Sequence, residues 1–150
     1  MQLVRVEGQG PDLDEVRSLL GEYWQSFGFT PCFQGFDTEL AGLPGSYAPP
    51  RGALFLVPGK GCVALRPLDD ATAEMKRLYV RPWARGAGVG RLLTQAALAQ
   101  AREAAFSRVV LDTIAEKMPE AVALYGSIGF RPIPSYSGTP GARCMELLLR

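Results

Sequence analysis

The sequence contains no histidine, and that absence removes many common catalytic designs. Ser-His-Asp and Cys-His nucleophile pairs, and metal centres built on imidazole, all need that side chain. Any acid–base chemistry falls to Asp, Glu, Tyr, Lys or Cys. Cysteine is scarce: Cys32, Cys62 and Cys144 are odd in number, far apart and never paired as CxxC. Neither a disulfide framework nor a zinc site is encoded, and no metal is expected. A surplus of one charge is missing as well, since 16 basic and 15 acidic residues leave a formal charge of +1. That is far from the basic footprint of a nucleic-acid binder. No apolar run approaches the roughly 20 residues a bilayer crossing needs, and the first ten residues do not form a signal-peptide apolar stretch. What is present is 150 residues, 47% hydrophobic and 21% charged, enough for one core. The expectation is one soluble, cytoplasmic domain, 1–150, without nucleic-acid or membrane partners.

Leu3 and Val6 with their neighbours predict a short first strand. Pro11 and Asp12 then open a helical stripe through Leu13, Val16, Leu19, Leu20 and Tyr23. From Gly28 to Pro50 glycine and proline interrupt the chain, leaving room for a short helix around Phe36 to Leu43. Ala53 to Val57 and Gly61 to Leu65 flank Pro58-Gly59-Lys60 and predict a hairpin. Glu74 to Val80 alternates as a further strand, with Glu74, Lys76, Leu78 and Val80 on one face unless a bulge shifts the register. After Pro82 comes the run Arg85-Gly86-Ala87-Gly88-Val89-Gly90 and a helix from about Arg91 to Ala105. Arg108 to Thr113 reads as a strand, Pro119 to Ile128 as a helix stopped by Gly129, and Arg143 to Leu149 as a last strand.

A glycine-rich turn between a strand and a helix exposes backbone N–H groups at the positive end of the helix dipole, a cradle for a pyrophosphate. The dinucleotide fingerprint and the P-loop both need glycine where this chain has Arg91, so both fail. The plainer alternative is a tight turn that lets a helix pack closely.

The stretch Glu74-Met75-Lys76-Arg77-Leu78-Tyr79-Val80-Arg81-Pro82, leading into Arg85-x-x-Gly88-x-Gly90, resembles the GNAT superfamily of N-acetyltransferases. So does Ala121-Val122-Ala123-Leu124-Tyr125-Gly126-Ser127-Ile128-Gly129-Phe130. The resemblance covers roughly the half from Glu74 to Phe130. It implies an α/β fold in which a mixed, mostly antiparallel sheet is flanked by four helices and two central parallel strands splay apart. It implies acetyl-CoA as cosubstrate, with its pyrophosphate on the amides of Arg85, Gly86, Ala87, Gly88, Val89, Gly90 and Arg91. The pantetheine arm would pair with the main chain of Leu78, Tyr79 and Val80, the Leu78 amide facing the thioester carbonyl. One departure is Met118, where many family members carry asparagine.

Acetyl transfer to an amine needs a neutral nucleophile, a donor to the developing oxyanion and a proton for the departing thiolate. By the same resemblance Glu74 takes the role of base and Tyr125 that of acid. An ordinary glutamate, with a pKa of about 4.3, cannot easily deprotonate an amine of about 10.4 unless burial or a water helps. Glu74 as a plain strand charge and Tyr125 as a core aromatic remain the alternatives. The acceptor is expected over the loop-rich segment, near Phe33, Gln34 and Phe36, with Tyr136 from the late loop. The implied reaction is direct attack by the primary amine of a small molecule in a ternary complex. A protein or peptide acceptor, and a non-catalytic acyl-CoA sensor, stay open, as does homodimerisation.

Overall fold

Pro11 suits the first turn of a helix, and Asp12 and Asp14 sit at the positive end of its dipole. They start α1 (Pro11–Ser26), which buries Leu13, Val16, Leu19, Leu20 and Trp24 along one face. The computed structural model describes residues 1–26, 35–114 and 118–149. Three further helices follow among them, α2 (Phe36–Gly42), α3 (Val89–Glu103) and α4 (Pro119–Ile128). The strands are β1 (Val4–Arg5), β2 (Ala53–Val57), β3 (Gly61–Pro67), β4 (Thr72–Val80), β5 (Arg108–Ile114), β6 (Arg131–Ile133) and β7 (Ala142–Leu148). They form one sheet in the order β1-β2-β3-β4-β5-β7-β6. Every neighbouring pair is antiparallel except β4 and β5. This is the mixed sheet with four helices that the motifs implied.

Alternation in β2 and β3 fills both sides of the sheet. Phe55, Val57, Val63 and Leu65 pack with Val89, Leu93 and Ala97 of α3 and Tyr125 of α4. Leu54, Leu56, Cys62 and Ala64 pack with α1 and α2 on the other side. The second core is keyed by Trp24, whose ring stacks on Phe36 with centroids 4.0 Å apart. The sequence stripe stopped at Tyr23, which is half-buried. Replacing Trp24 with alanine should cost about 3–5 kcal/mol, read as a lower urea midpoint. A loss below about 1 kcal/mol would mean that the neighbours collapse into the gap.

Two local features position the site. The first is a bulge in β4. Cys62 faces Tyr79 and Ala64 faces Lys76, so Arg77 and Leu78 together stand opposite Val63. Arg77 adopts a left-handed φ of 61°, which a non-glycine residue holds only when its surroundings insist. Here both guanidinium arms donate to Glu39 of α2, at 2.8 and 2.9 Å, and the group lies over Trp24 and Phe36. The bulge corrects the strict alternation: Leu78 joins Ala73 and Met75 in the α3 core, away from Glu74 and Lys76. The second feature is the splay. β4 and β5 pair only at Thr72–Arg108, Ala73–Val109 and Glu74–Val110, and beyond Glu74 the inner edges have no strand partner among the described residues.

β6 went unpredicted because Arg131-Pro132-Ile133 reads as a turn. At the sheet edge it pairs only with β7, where proline is tolerated. α3 starts two residues before the predicted Arg91, since Gly88 takes a left-handed cap at φ 87° and the helix begins at Val89.

Candidate active site

A groove of about 790 Å³ opens over the splay. Leu78, Tyr79 and Val80 of β4 line one wall, Met118, Ala121 and Leu124 the other, and Arg85, Gly86, Gly88, Val89, Gly90 and Arg91 the floor. The local sequence explains the floor. Leu92 N–H makes the first helical bond, to the Gly88 carbonyl at 3.0 Å, so the amides of Val89, Gly90 and Arg91 have no intrahelical acceptor. Gly86 and Gly88 have φ of 85° and 87°, and a Cβ on either would meet nothing within 4 Å. Open space in front of free amides fits a pyrophosphate. At Gly90 a Cβ would come within 3.2 Å of Leu124 Cδ2, so glycine there lets α3 approach α4. Arg85 donates to the Val80 carbonyl at 2.9 Å and Arg91 to Ser127 Oγ at 2.7 Å. Neither has a carboxylate partner among the described residues, which leaves two uncompensated positive charges at the mouth.

A recess of about 20 Å³ passes through the sheet where β4 and β5 part. Leu78 and Met118 line both it and the groove. Tyr125 reaches it from α4, Tyr23 from α1, Lys76 and Arg77 from β4, and Asp112 from β5. Tyr125 is 5% exposed, and its hydroxyl has no hydrogen-bond partner among the described residues. Burial, helped by Tyr23, pushes its pKa well above the ordinary 10.0. The phenol therefore remains a donor at any working pH.

Glu74 lies at the apex of the splay, the last β4 residue paired to β5. Its carboxylate is 3% exposed, and both of its oxygens are engaged. Oε1 accepts from Arg66 Nε at 2.8 Å, with Arg66 Nη2 in ion-pair contact at 2.7 Å. Oε2 accepts from the Tyr136 hydroxyl at 2.6 Å, with Lys76 Nζ 3.7 Å away. Burial and this bond to Glu74 push the Tyr136 phenol pKa up.

Residues 17–130 match the acetyltransferase (GNAT) family. The chain belongs to that family. An uncharacterised N-acetyltransferase of Schizosaccharomyces pombe is 39% identical over 135 residues, covering 86% of this chain and 82% of that protein. The fold of a Streptococcus agalactiae acetyltransferase matches with a TM-score of 0.81 at 24% identity, over 99% of this chain and 98% of that one. A GNAT family acetyltransferase of Elizabethkingia anophelis, with acetyl-CoA bound, matches with a TM-score of 0.68 at 19% identity, over 99% and 97%. Acetyl transfer of the GNAT type, with acetyl-CoA as the family's donor, is the activity of this enzyme.

In this GNAT acetyltransferase the structure gathers most of the residues singled out in the sequence. Leu78, Tyr79, Val80, Arg85, Gly86, Gly88, Val89, Gly90 and Arg91 share the groove, while Ala87 is exposed and outside its lining. Tyr125 and Glu74 fall on opposite sides of the fork, Tyr125 lining the recess and Glu74 outside its lining. Phe36 is 5% exposed and packs in the α1–α2 core, so its ring belongs to the core. Phe33 and Gln34 lie outside the described residues. Tyr136 is 37% exposed and covers Glu74. Sequence reasoning missed Lys76 and Asp112 as recess residues. Their signal was the pairing register of β4 and β5, which no single-strand pattern contains. No described helix is long and apolar enough to cross a membrane.

Proposed function

We propose that this enzyme moves the acetyl group of acetyl-CoA directly onto a primary amine of a small molecule within a ternary complex. The observation that carries the reading is the passage between groove and recess. A thioester lying along Leu78 to Val80 would place its carbonyl where the fork opens, reachable from the far side by an amine. The amides of residues 85–91 hold the pyrophosphate, and the unpaired edge of β4 holds the pantetheine as an added strand. The acetyl-CoA seen in the Elizabethkingia anophelis neighbour supports this choice of donor.

In this reading Tyr125 gives the departing sulfur a hydrogen bond or proton. Glu74 acts through its partners, fixing the Tyr136 hydroxyl and holding Lys76 beside the fork, because both of its oxygens are already engaged. A small acceptor is favoured over a Lys-rich protein tail because a near-neutral chain offers no broad acidic surface, and such an acceptor accords with a cytoplasmic enzyme. The test is thiol release from acetyl-CoA across primary amines and short peptides. Free CoA with small amines supports the reading, release with peptides alone shifts it to a protein acceptor, and binding without release anywhere makes the fold a sensor. As an expected outcome, Glu74→Gln should keep acetyl-CoA affinity while slowing turnover, since the glutamine cannot anchor Lys76. An unchanged rate would leave Glu74 a structural charge.

A further inference from the structure

The carboxylate that faces the recess is Asp112, not Glu74. Asp112 lies two residues beyond Val110, the β5 partner of Glu74 at the last rung, so it is the first side chain on that face past the fork. It lines the recess with Tyr125. Its side chain is 15% exposed, and among the described residues its ionic partner is Lys76 Nζ at 3.8 Å. No hydrogen bond to its oxygens exists among the described residues. Both Glu74 oxygens already accept hydrogen bonds, from Arg66 and Tyr136, whereas those of Asp112 accept none among the described residues.

We propose that Asp112 receives the acceptor's ammonium and takes its proton, and that Lys76 makes that proton leave. The proposal rests on the amine-transfer reading above. Lys76 stands between two carboxylates, 3.7 Å from Glu74 and 3.8 Å from Asp112. Arg66, Glu74, Lys76 and Asp112 sum to zero charge. An arriving ammonium is therefore attracted by the open carboxylate, yet it adds an uncompensated positive charge beside Lys76. Moving one proton onto Asp112 ends the repulsion between the ammonium and Lys76, and the site returns to zero net charge when Asp112 passes that proton to solvent.

The other groups around Asp112 do not undo this balance. Arg77 is matched by Glu39, Tyr23 and Tyr125 carry phenol pKa values raised by burial, and Tyr136 donates to Glu74. Cys144, its β7 partner, is a buried thiol.

The step balances as follows. The ammonium gives one proton to the Asp112 carboxylate, and the neutral nitrogen forms the C–N bond while the carbonyl electrons move onto oxygen. Collapse breaks the C–S bond. The nitrogen sheds its second proton to solvent, the thiolate gains one from Tyr125, and the proton held by Asp112 replaces the one Tyr125 gave up, by way of solvent. Overall an ammonium and acetyl-CoA become an amide, CoA thiol and one proton released to solvent.

The test measures thiol release with benzylamine, n-butylamine and glycinamide between about pH 6 and pH 10 for the parent, Asp112→Asn, Asp112→Glu and Glu74→Gln. The parent should accept protonated amine, so its rate should change little below the amine's pKa. Asp112→Asn must wait for amine already neutral, so its rate should drop about tenfold per pH unit on the acid side, and the gap should close at high pH. Asp112→Glu should recover part of the acid-side rate, and calorimetry should show unchanged CoA affinity in both. Lys76→Met gives a second readout that leaves Asp112 in place, with the same widening deficit at low pH. A constant ratio of Asp112→Asn to parent at every pH overturns the proposal, as does a widening gap in Glu74→Gln alone. If the parent releases thiol with none of the amines, the transferase reading falls with it. A working parent with parallel profiles sinks Asp112 only.

Discussion

Replacing Tyr125 with phenylalanine should slow the acetyl-transfer step about 100-fold, the usual worth of one acid–base group, and leave acetyl-CoA binding and folding intact. The ring keeps its place: Tyr125 packs in the core with Phe130, centroids 5.7 Å apart, and phenylalanine fills nearly the same volume. What disappears is a hydroxyl with no hydrogen-bond partner among the described residues, on a side chain that lines the recess where the sulfur is proposed to depart. A phenol near pKa 10 can donate to a thiolate whose own value is about 8.5. Burial raises the phenol further, which makes it a weaker acid but ensures that it is protonated. The sign is definite. A raised pKa keeps the donor loaded to higher pH, so any alkaline fall in the parent's rate should begin above pH 10.0, the ordinary tyrosine value, unless another group causes it. Single-turnover rates at saturating acetyl-CoA and amine decide the matter. If Tyr125→Phe keeps the full rate, the ring is packing alone and water protonates the thiolate.

The contrast between Tyr125 and the acceptor side shows which parts of a site one sequence can carry. The groove was readable because its pieces are contiguous: a strand ending at Val80, a glycine run, then a helix. Each constrains the backbone locally, through positive φ at Gly86 and Gly88 and through free amides at a helix start. The α4 motif was readable for the same reason, since Pro119 starts the helix and Gly129 stops it. The charge row Glu74, Lys76, Asp112 was not. It depends on β4 and β5 pairing at three rungs and then parting, and Asp112 belongs to a strand 28 residues or more from β4. The bulge at Arg77 was invisible too, because the residue that pays for its left-handed φ, Glu39, sits on a separate helix. Period-two alternation says which residues could share a face, and only the ladder says where the alternation breaks. Two carboxylates thus end with opposite roles available to them, one held by Arg66 and Tyr136 and the other without a hydrogen bond among the described residues.

The second large effect should come from Gly88→Val, which is expected to weaken CoA binding about 100-fold. The cause is not a clash inside the protein, because a Cβ at this position meets no atom within 4 Å. One contribution is conformational. Gly88 caps α3 at φ 87°, and a β-branched residue forced into that region carries about 1–3 kcal/mol of strain. The loop should relieve it by turning, which moves the amides of Val89, Gly90 and Arg91 away from a common focus. The other contribution is steric, since the added methyl groups project into the open space proposed for the pyrophosphate. Hydrogen bonds to a charged group contribute about 1.5–3 kcal/mol each, so losing the alignment of one or two corresponds to roughly 100-fold in affinity. Acetyl-pantetheine separates this from general damage. It lacks the pyrophosphate, so parent and variant should use it with similar KM, while calorimetry with CoA shows the full loss. Gly88→Ala should fall between the two, because its Cβ carries the same φ penalty with less bulk in the groove. Equal CoA affinity in a folded Gly88→Val variant would remove the glycine loop as the phosphate site and return it to the plainer role of a tight turn into α3.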